Sequence, residues 1–195
     1  MGATEVQAHD EARRRLLEEG VRSYLDAVTA LIEYQREVQK KCRAVMEARL
    51  GDYASALKIP LKSSDIRDWA SPKFEKWEGT WWCLGGTIFR RNITPKIRWW
   101  DTSCCLQYEL GENGLFCWIG VGFPTTKMTA FLHRQFHRLN RKVLQQGREV
   151  WIEHSLKKEE GAAFEKSLEA LFQQWIELWN KVGGIKQAFK GGGDP

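Results

Sequence analysis

The sequence predicts an α+β protein: a long N-terminal helix, a three- to four-stranded, largely antiparallel sheet, and then helix–strand–helix packed on one face of it. Three observations predict this. Residues 10–50 keep a 4-3 apolar spacing, residues 79–123 alternate in short runs bounded by turn residues, and helical periodicity resumes beyond Pro124 on either side of one short strand. Hydrophobic residues make up 43% of the 195 and charged residues 28%, which is enough for a sizeable core. The ten tryptophans fit both a Trp-rich core and a contact surface, since indole is large and amphipathic.

Leu17, Val21, Tyr24, Val28, Leu31, Val38, Cys42 and Val45 form the seam of the first helix, with Gln35 as its polar interruption. Residues 1–9 read as a disordered tail, Gly20 as a point of weakness and Gly51 as the helix stop. Unbroken, this helix would run ~60 Å at 1.5 Å per residue. The remaining residues have an expected radius of gyration of about 15 Å, so the helix either folds along its own domain or meets a partner. Residues 51–78 read as a packed connector with a helical turn around Asp65–Trp69.

Residues 79–182 form the predicted α+β core. Its strands are Thr80–Arg91, with a bulge at Gly85-Gly86, then Lys96–Trp100, Cys104–Leu110 and Leu115–Phe123. Asn113-Gly114 signals a hairpin between the last two. Leu115–Phe123 is apolar or small on both faces and reads as a central strand. Thr125 or Thr126 caps a helix running to about Gln146, Glu149–Ser155 is a strand, and Glu159–Val182 is the final helix. Residues 183–195 read as a loose, Gly-rich tail.

Cys42, Cys83, Cys104, Cys105 and Cys117 are odd in number and lack a C-x-x-C pair, a pattern that suits a reducing, cytoplasmic setting rather than a disulfide framework. No apolar stretch approaches the ~20 residues of a membrane span, so no membrane partner is expected. Nucleotide loops and nucleophile elbows are missing from the sequence, and it calls for no cofactor. His133 and His137 have the i, i+4 spacing of a metal pair, but Arg134 stands where a zincin motif has glutamate, so no metal site is assigned. His154 alternates with Val150 and Ile152 and reads as a packed strand histidine.

Charge is the lopsided feature. The net charge is +5, yet residues 79–148 hold 10 basic and 3 acidic side chains, and Asn113–Arg148 contains no acid. Two features lie inside that block. One is the run containing Arg90, Arg91, Lys96, Arg98, Trp99 and Trp100, and the other is the outer helix face of Arg134, Arg138 and Arg141. Cations without acidic neighbours gain most by displacing counterions from phosphates, and indoles beside them suit stacked bases. The composition therefore points to a non-enzymatic binding protein with an anionic partner, most plausibly nucleic acid. Two alternatives stand beside it. The same cations could be neutralised by the acids of the terminal helices, and the 10–50 helix could serve a protein partner or self-association.

The order α-β-β-β-α-β across residues 10–155 resembles the core of the PD-(D/E)XK restriction-endonuclease-like nucleases. In that family an Asp and an (Asp/Glu)-x-Lys hold Mg²⁺ and water. Asp101 and Glu109 stand nearest those positions here, but Gly111 replaces the lysine and Glu153 is followed by His154-Ser155. The resemblance implies a divergent or inactive relative.

Overall fold

A computed structural model of the chain describes residues 3–68, 76–77, 81–90, 101–109, 114–157 and 163–190. Two compact units divide it, Met1–Arg36 and Glu37–Pro195. The first consists of most of helix α1 (Ala3–Ala48). This helix begins at Ala3, within the segment read as a tail, and it passes through Gly20 unbroken. The heptad repeat divides in its environment. Leu17, Val21 and Tyr24 are exposed, whereas Val38, Cys42 and Val45, in the second unit, are buried.

The helix stops at Ala48 rather than at Gly51. Arg49 takes a bridge conformation (φ −99°, ψ 2°) that starts α2 (Leu50–Leu57), and Gly51 lies inside α2. The connector is thus more structured than its sequence implied. A 3₁₀ turn at Ser63–Asp65 precedes β1 (Ile66–Asp68), where a helical turn was expected, and β2 (Lys76–Trp77) follows. Asp65 caps that turn by accepting from the Lys62 amide at 3.1 Å.

Among the described residues the sheet has seven strands instead of three or four, all paired antiparallel. With β3 (Trp81–Arg90), β4 (Asp101–Glu109), β5 (Gly114–Gly122), β6 (Leu144–Gln146) and β7 (Glu149–Leu156), the order is β1-β3-β4-β5-β7-β6, and β2 also pairs with β3. The register of β3 against β4 shifts between Cys83 and Gly85, so the expected bulge is there. The Lys96–Trp100 segment lies outside the described residues. As expected, β5 is central, between β4 and β7.

Helix α3 (Thr126–Leu139) is capped by Thr125, whose hydroxyl accepts from Met128 N at 3.3 Å. It ends seven residues before Gln146 for a local reason. Asn140 turns extended and its side chain accepts from the Lys142 amide at 3.0 Å, an Asx turn that competes with further helix. Residues 144–146 then pair back onto β7 through Gly147-Arg148, with Gly147 at φ 54°. Helix α4 (Phe164–Lys181) is followed by α5 (Ile185–Ala188). Ile185, Ala188 and Phe189 are buried, so the segment beyond Val182 packs rather than trails. Gly184 permits this: its φ is 88°, and a Cβ there would stand 2.9 Å from the Leu57 carbonyl oxygen.

One sheet face carries Phe89, Cys104, Leu106, Cys117, Ile119 and Val121 into a single core with α2, α3, α4 and the end of α1. Aromatic edges interlock there. Phe136 meets Trp175 at 5.3 Å and Trp179 at 5.0 Å, each T-shaped, and Tyr53 meets Phe172 at 5.3 Å. Among the described residues no helix is long and apolar enough to cross a membrane.

Gly120 lies against neighbouring backbone on the other sheet face. A Cβ there would lie 2.6 Å from Trp151 Cβ and 2.7 Å from the Val150 carbonyl oxygen, whereas at Gly122 the nearest atom would be 3.8 Å away. Gly120→Ala is expected to cost about 1–3 kcal/mol, since backbone cannot retreat as a side-chain tip can. Gly122→Ala should stay within about 0.5 kcal/mol. Urea unfolding of the two variants measures the contrast, and equal stabilities would contradict the packing described.

Candidate nucleic-acid interface

Helix α3 builds one half of the basic surface expected from sequence. Met128, Thr129, Leu132 and Phe136 anchor its inner face. At 100° per residue, Lys127, Arg134 and Arg138 then fall within about 40° of one another on the outer face. All three are exposed, as are Arg141 and Lys142 in the following turn and Arg148 between β6 and β7. The Arg134 guanidinium rests 5.7 Å from the centre of the Phe131 ring, which supports it from below.

None of these six cations lies within 4 Å of a carboxylate among the described residues. Some cations on α1 are matched instead. Arg43 bridges Glu47 and Asp68, each at 3.0 Å, and Lys41 binds Glu165 at 3.0 Å and Glu37 at 3.2 Å. The hydrogen bond to Glu165, more than any other contact, raises the Lys41 ammonium above its ordinary pKa. Glu165, one of the acids considered as a neutraliser of α3, is therefore engaged on α1. Glu159 and Glu160 lie outside the described residues.

The other half of the expected surface is less available. Arg90 ends β3, its backbone in register with Asp101. Arg91, Lys96, Arg98, Trp99 and Trp100 lie outside the described residues. The structure thus brings Arg134, Arg138 and Arg141 into one region and adds Lys127, Lys142 and Arg148, which were not singled out from sequence. Their signal was present in the acid-free stretch itself, but the overlong helix placed residues 141–148 on the wrong element.

His133 and His137 have a structural task. Their rings are 5.1 Å apart, and both address the Val143 carbonyl oxygen, His133 through Nε2 at 3.2 Å and His137 through Nδ1 at 3.3 Å. Both nitrogens donate to that oxygen, which fastens the turn after α3. Among the described residues no group of three or more His, Cys, Asp or Glu could hold a metal ion. His154 shares a face with Val150 and Ile152 but is exposed. Its part of β7 extends past Trp151, where the pairing with β6 ends.

The sheet face turned away from the core carries Phe116, Trp118 and Trp151, all half-buried. Trp118 Nε1 donates to Gln107 Oε1 at 2.8 Å, and Trp151 Nε1 to Glu153 Oε2 at 2.9 Å. Asp101, Gly122 and Glu149 form one row across β4, β5 and β7. These aromatics are flanked by carboxylates, so their surroundings repel phosphate. Asp101 and Glu109 stand at opposite ends of β4, about 26 Å apart at 3.3 Å per residue, too far to share a cation. Burial pushes the Cys117 thiol up to about 12, which leaves no thiolate for nucleophilic chemistry.

By this architecture the chain is an α+β protein with its helices on one face of an antiparallel sheet. Comparison with protein families, with curated proteins and with solved structures finds no match.

Lost hydration on the side of Glu149 against the sheet, and secondly repulsion from Asp101, hold its carboxyl above the ordinary range. The folded state therefore binds this proton more tightly than the unfolded chain, and ionisation opposes folding. Glu149→Gln should stabilise the protein at neutral pH. The gain should shrink as pH falls and vanish below the ordinary glutamate pKa of about 4.3. Thermal unfolding of both proteins against pH tests the sign.

Proposed function

We propose that the protein is a non-enzymatic binding protein whose basic α3 surface meets an anionic partner, nucleic acid. The observation that carries this is the set of cations Lys127, Arg134, Arg138, Arg141 and Lys142, exposed and without carboxylate partners among the described residues. Lys127 to Arg138 spans about 16 Å along the helix, room for several backbone phosphates. In this reading Arg90, Arg91, Lys96 and Arg98 extend the phosphate contacts, and Trp99 or Trp100 supplies a stacking platform. Cys42, Cys104, Cys105 and Cys117 are buried and not disulfide-bonded, which accords with a cytoplasmic setting.

A second reading rests on a different observation, the exposed apolar seam of α1. Leu17, Val21, Tyr24 and Leu25 are 62%, 58%, 68% and 56% exposed, which supports a protein-interaction module docking through that helix. The nuclease resemblance gains least, because its two carboxylates stand at opposite ends of one strand.

Fluorescence binding of single- and double-stranded oligonucleotides across a salt series tests the first reading. Binding should weaken steeply with salt. The triple substitution Arg134→Ala, Arg138→Ala, Arg141→Ala should reduce the log–log salt slope by about 2–3, because each phosphate contact contributes about 0.7–0.9. Replacing Trp99 and Trp100 by Ala should weaken single-strand binding by about 1–3 kcal/mol per stacked base lost. A flat salt response, or no binding at low salt, overturns the proposal.

A further inference from the structure

The exposed seam of α1 has a pattern specific enough to name its occupant. We propose that a second copy of this chain covers it, forming a parallel two-stranded coiled coil over residues 13–32. The inference rests on the protein-interaction reading above and supplies its partner.

In heptad terms Arg14, Val21 and Val28 occupy a, and Leu17, Tyr24 and Leu31 occupy d. Valine at two of the a positions, Val21 and Val28, with leucine at two of the d positions, Leu17 and Leu31, favours parallel pairs, because the two positions pack with different side-chain directions in that geometry, while Arg14 and Tyr24 occupy the remaining sites. The flanking positions complement one another in the same arrangement. In a parallel pair each g residue meets the e residue five positions on in the other chain. That sets Arg13 against Glu18, Gly20 against Leu25, and Ala27 against Ile32. The first is an opposite-charge pair. In the other two, a small residue leaves space for a large apolar one. An antiparallel pair would instead set e against e and g against g, crowding Leu25 and Ile32 together and leaving Gly20 and Ala27 facing a gap.

The structure adds the state of these groups in the single chain. Leu17, Val21, Tyr24 and Leu25 are all more than half exposed. Arg14 and Arg15 are engaged within the helix, with Glu18 at 3.5 Å and Glu11 at 2.7 Å, while Arg13 has no such partner among the described residues. Beyond Leu25 the seam is progressively covered: Val28, Leu31 and Ile32 are half-buried, and Gln35, the next a position, is 6% exposed. A lipid surface fits less well, because the outer face mixes Arg15 and Arg22 with Glu19, Asp26 and Glu33 instead of the excess of lysine and arginine that binds anionic membranes.

Sedimentation equilibrium of the full chain should show a reversible, concentration-dependent dimer. Leu17→Asp with Tyr24→Asp should abolish it without moving the core's thermal transition. Val21→Cys should give a disulfide-linked dimer on mild oxidation, whereas Arg22→Cys, one residue off the seam, should not. Arg13→Glu should weaken dimerisation about two- to five-fold, Glu18→Arg likewise, and the double reversal should restore it. A dimer without the Val21→Cys cross-link, or without the charge-swap rescue, overturns the parallel register. A chain that is monomeric at every concentration overturns the second copy. In that monomer, an apolar dye that binds the parent chain and not the Leu17→Asp variant leaves the seam as a surface for a different protein. No dye binding removes the interaction reading as well.

Discussion

The Tyr53 hydroxyl joins three elements inside the core. It is hydrogen-bonded to Thr102 Oγ1 on β4 at 2.8 Å and accepts from Trp175 Nε1 on α4 at 3.2 Å, while its own ring belongs to α2. Burial raises its pKa far above the ordinary tyrosine value, so it stays a neutral donor and acceptor at every physiological pH. An indole N–H and a threonine hydroxyl at such depth would each cost about 1–3 kcal/mol if left unmade. The junction therefore specifies how α2 and α4 sit on the sheet, which apolar contacts alone would leave loose. Around it, Phe172, Phe136 and Trp179 meet edge to face, and α3 is held by Phe136 against Trp175 and Trp179. The basic outer face of α3 thus stands on a fixed aromatic base.

That arrangement separates two kinds of surface. On α3, cations stand without acids because the acids close by in sequence were never there, and Glu165 is spent on Lys41. On the open sheet face, aromatics stand beside Gln107, Glu153, Asp101 and Glu149, with the indole N–H groups already satisfied. A phosphate backbone would be drawn to the first and turned away from the second. Basic charge and surface indole are therefore not interchangeable signs of a nucleic-acid surface, and only the first lies on α3.

Much of the fold was legible in the sequence because its signals were local and periodic. The α+β class, the helices on one face, the bulge near Gly85, the Thr125 cap and the central place of β5 all follow from spacing and turn chemistry. What escaped reading depended on partners distant in sequence. The short strands β1, β2 and β6 carry two or three residues each, too few for a period, and exist because β3 and β7 offer edges. The end of α3 was hidden because Leu139 and Val143 continue a helical spacing, and the Asn140 turn with its two histidine contacts overrides it. The packing beyond Val182 looked loose because it is glycine-rich, yet the glycines at 183 and 184 are the ones whose positive φ lets Ile185 and Phe189 return to the core.

The heptad of α1 shows most plainly how one sequence pattern serves two ends. From Val38 onward the repeat is satisfied within the chain, at 1% exposure for Val38 and 0% for Cys42. From Leu17 to Leu25 the same repeat is left in water. Burying each such side chain fully would gain roughly 1.5–3 kcal/mol, so the exposed half stores several times that in unrealised contact. Apolar residues at a and d are what a helix–helix interface requires and what a solvent-facing arm does not.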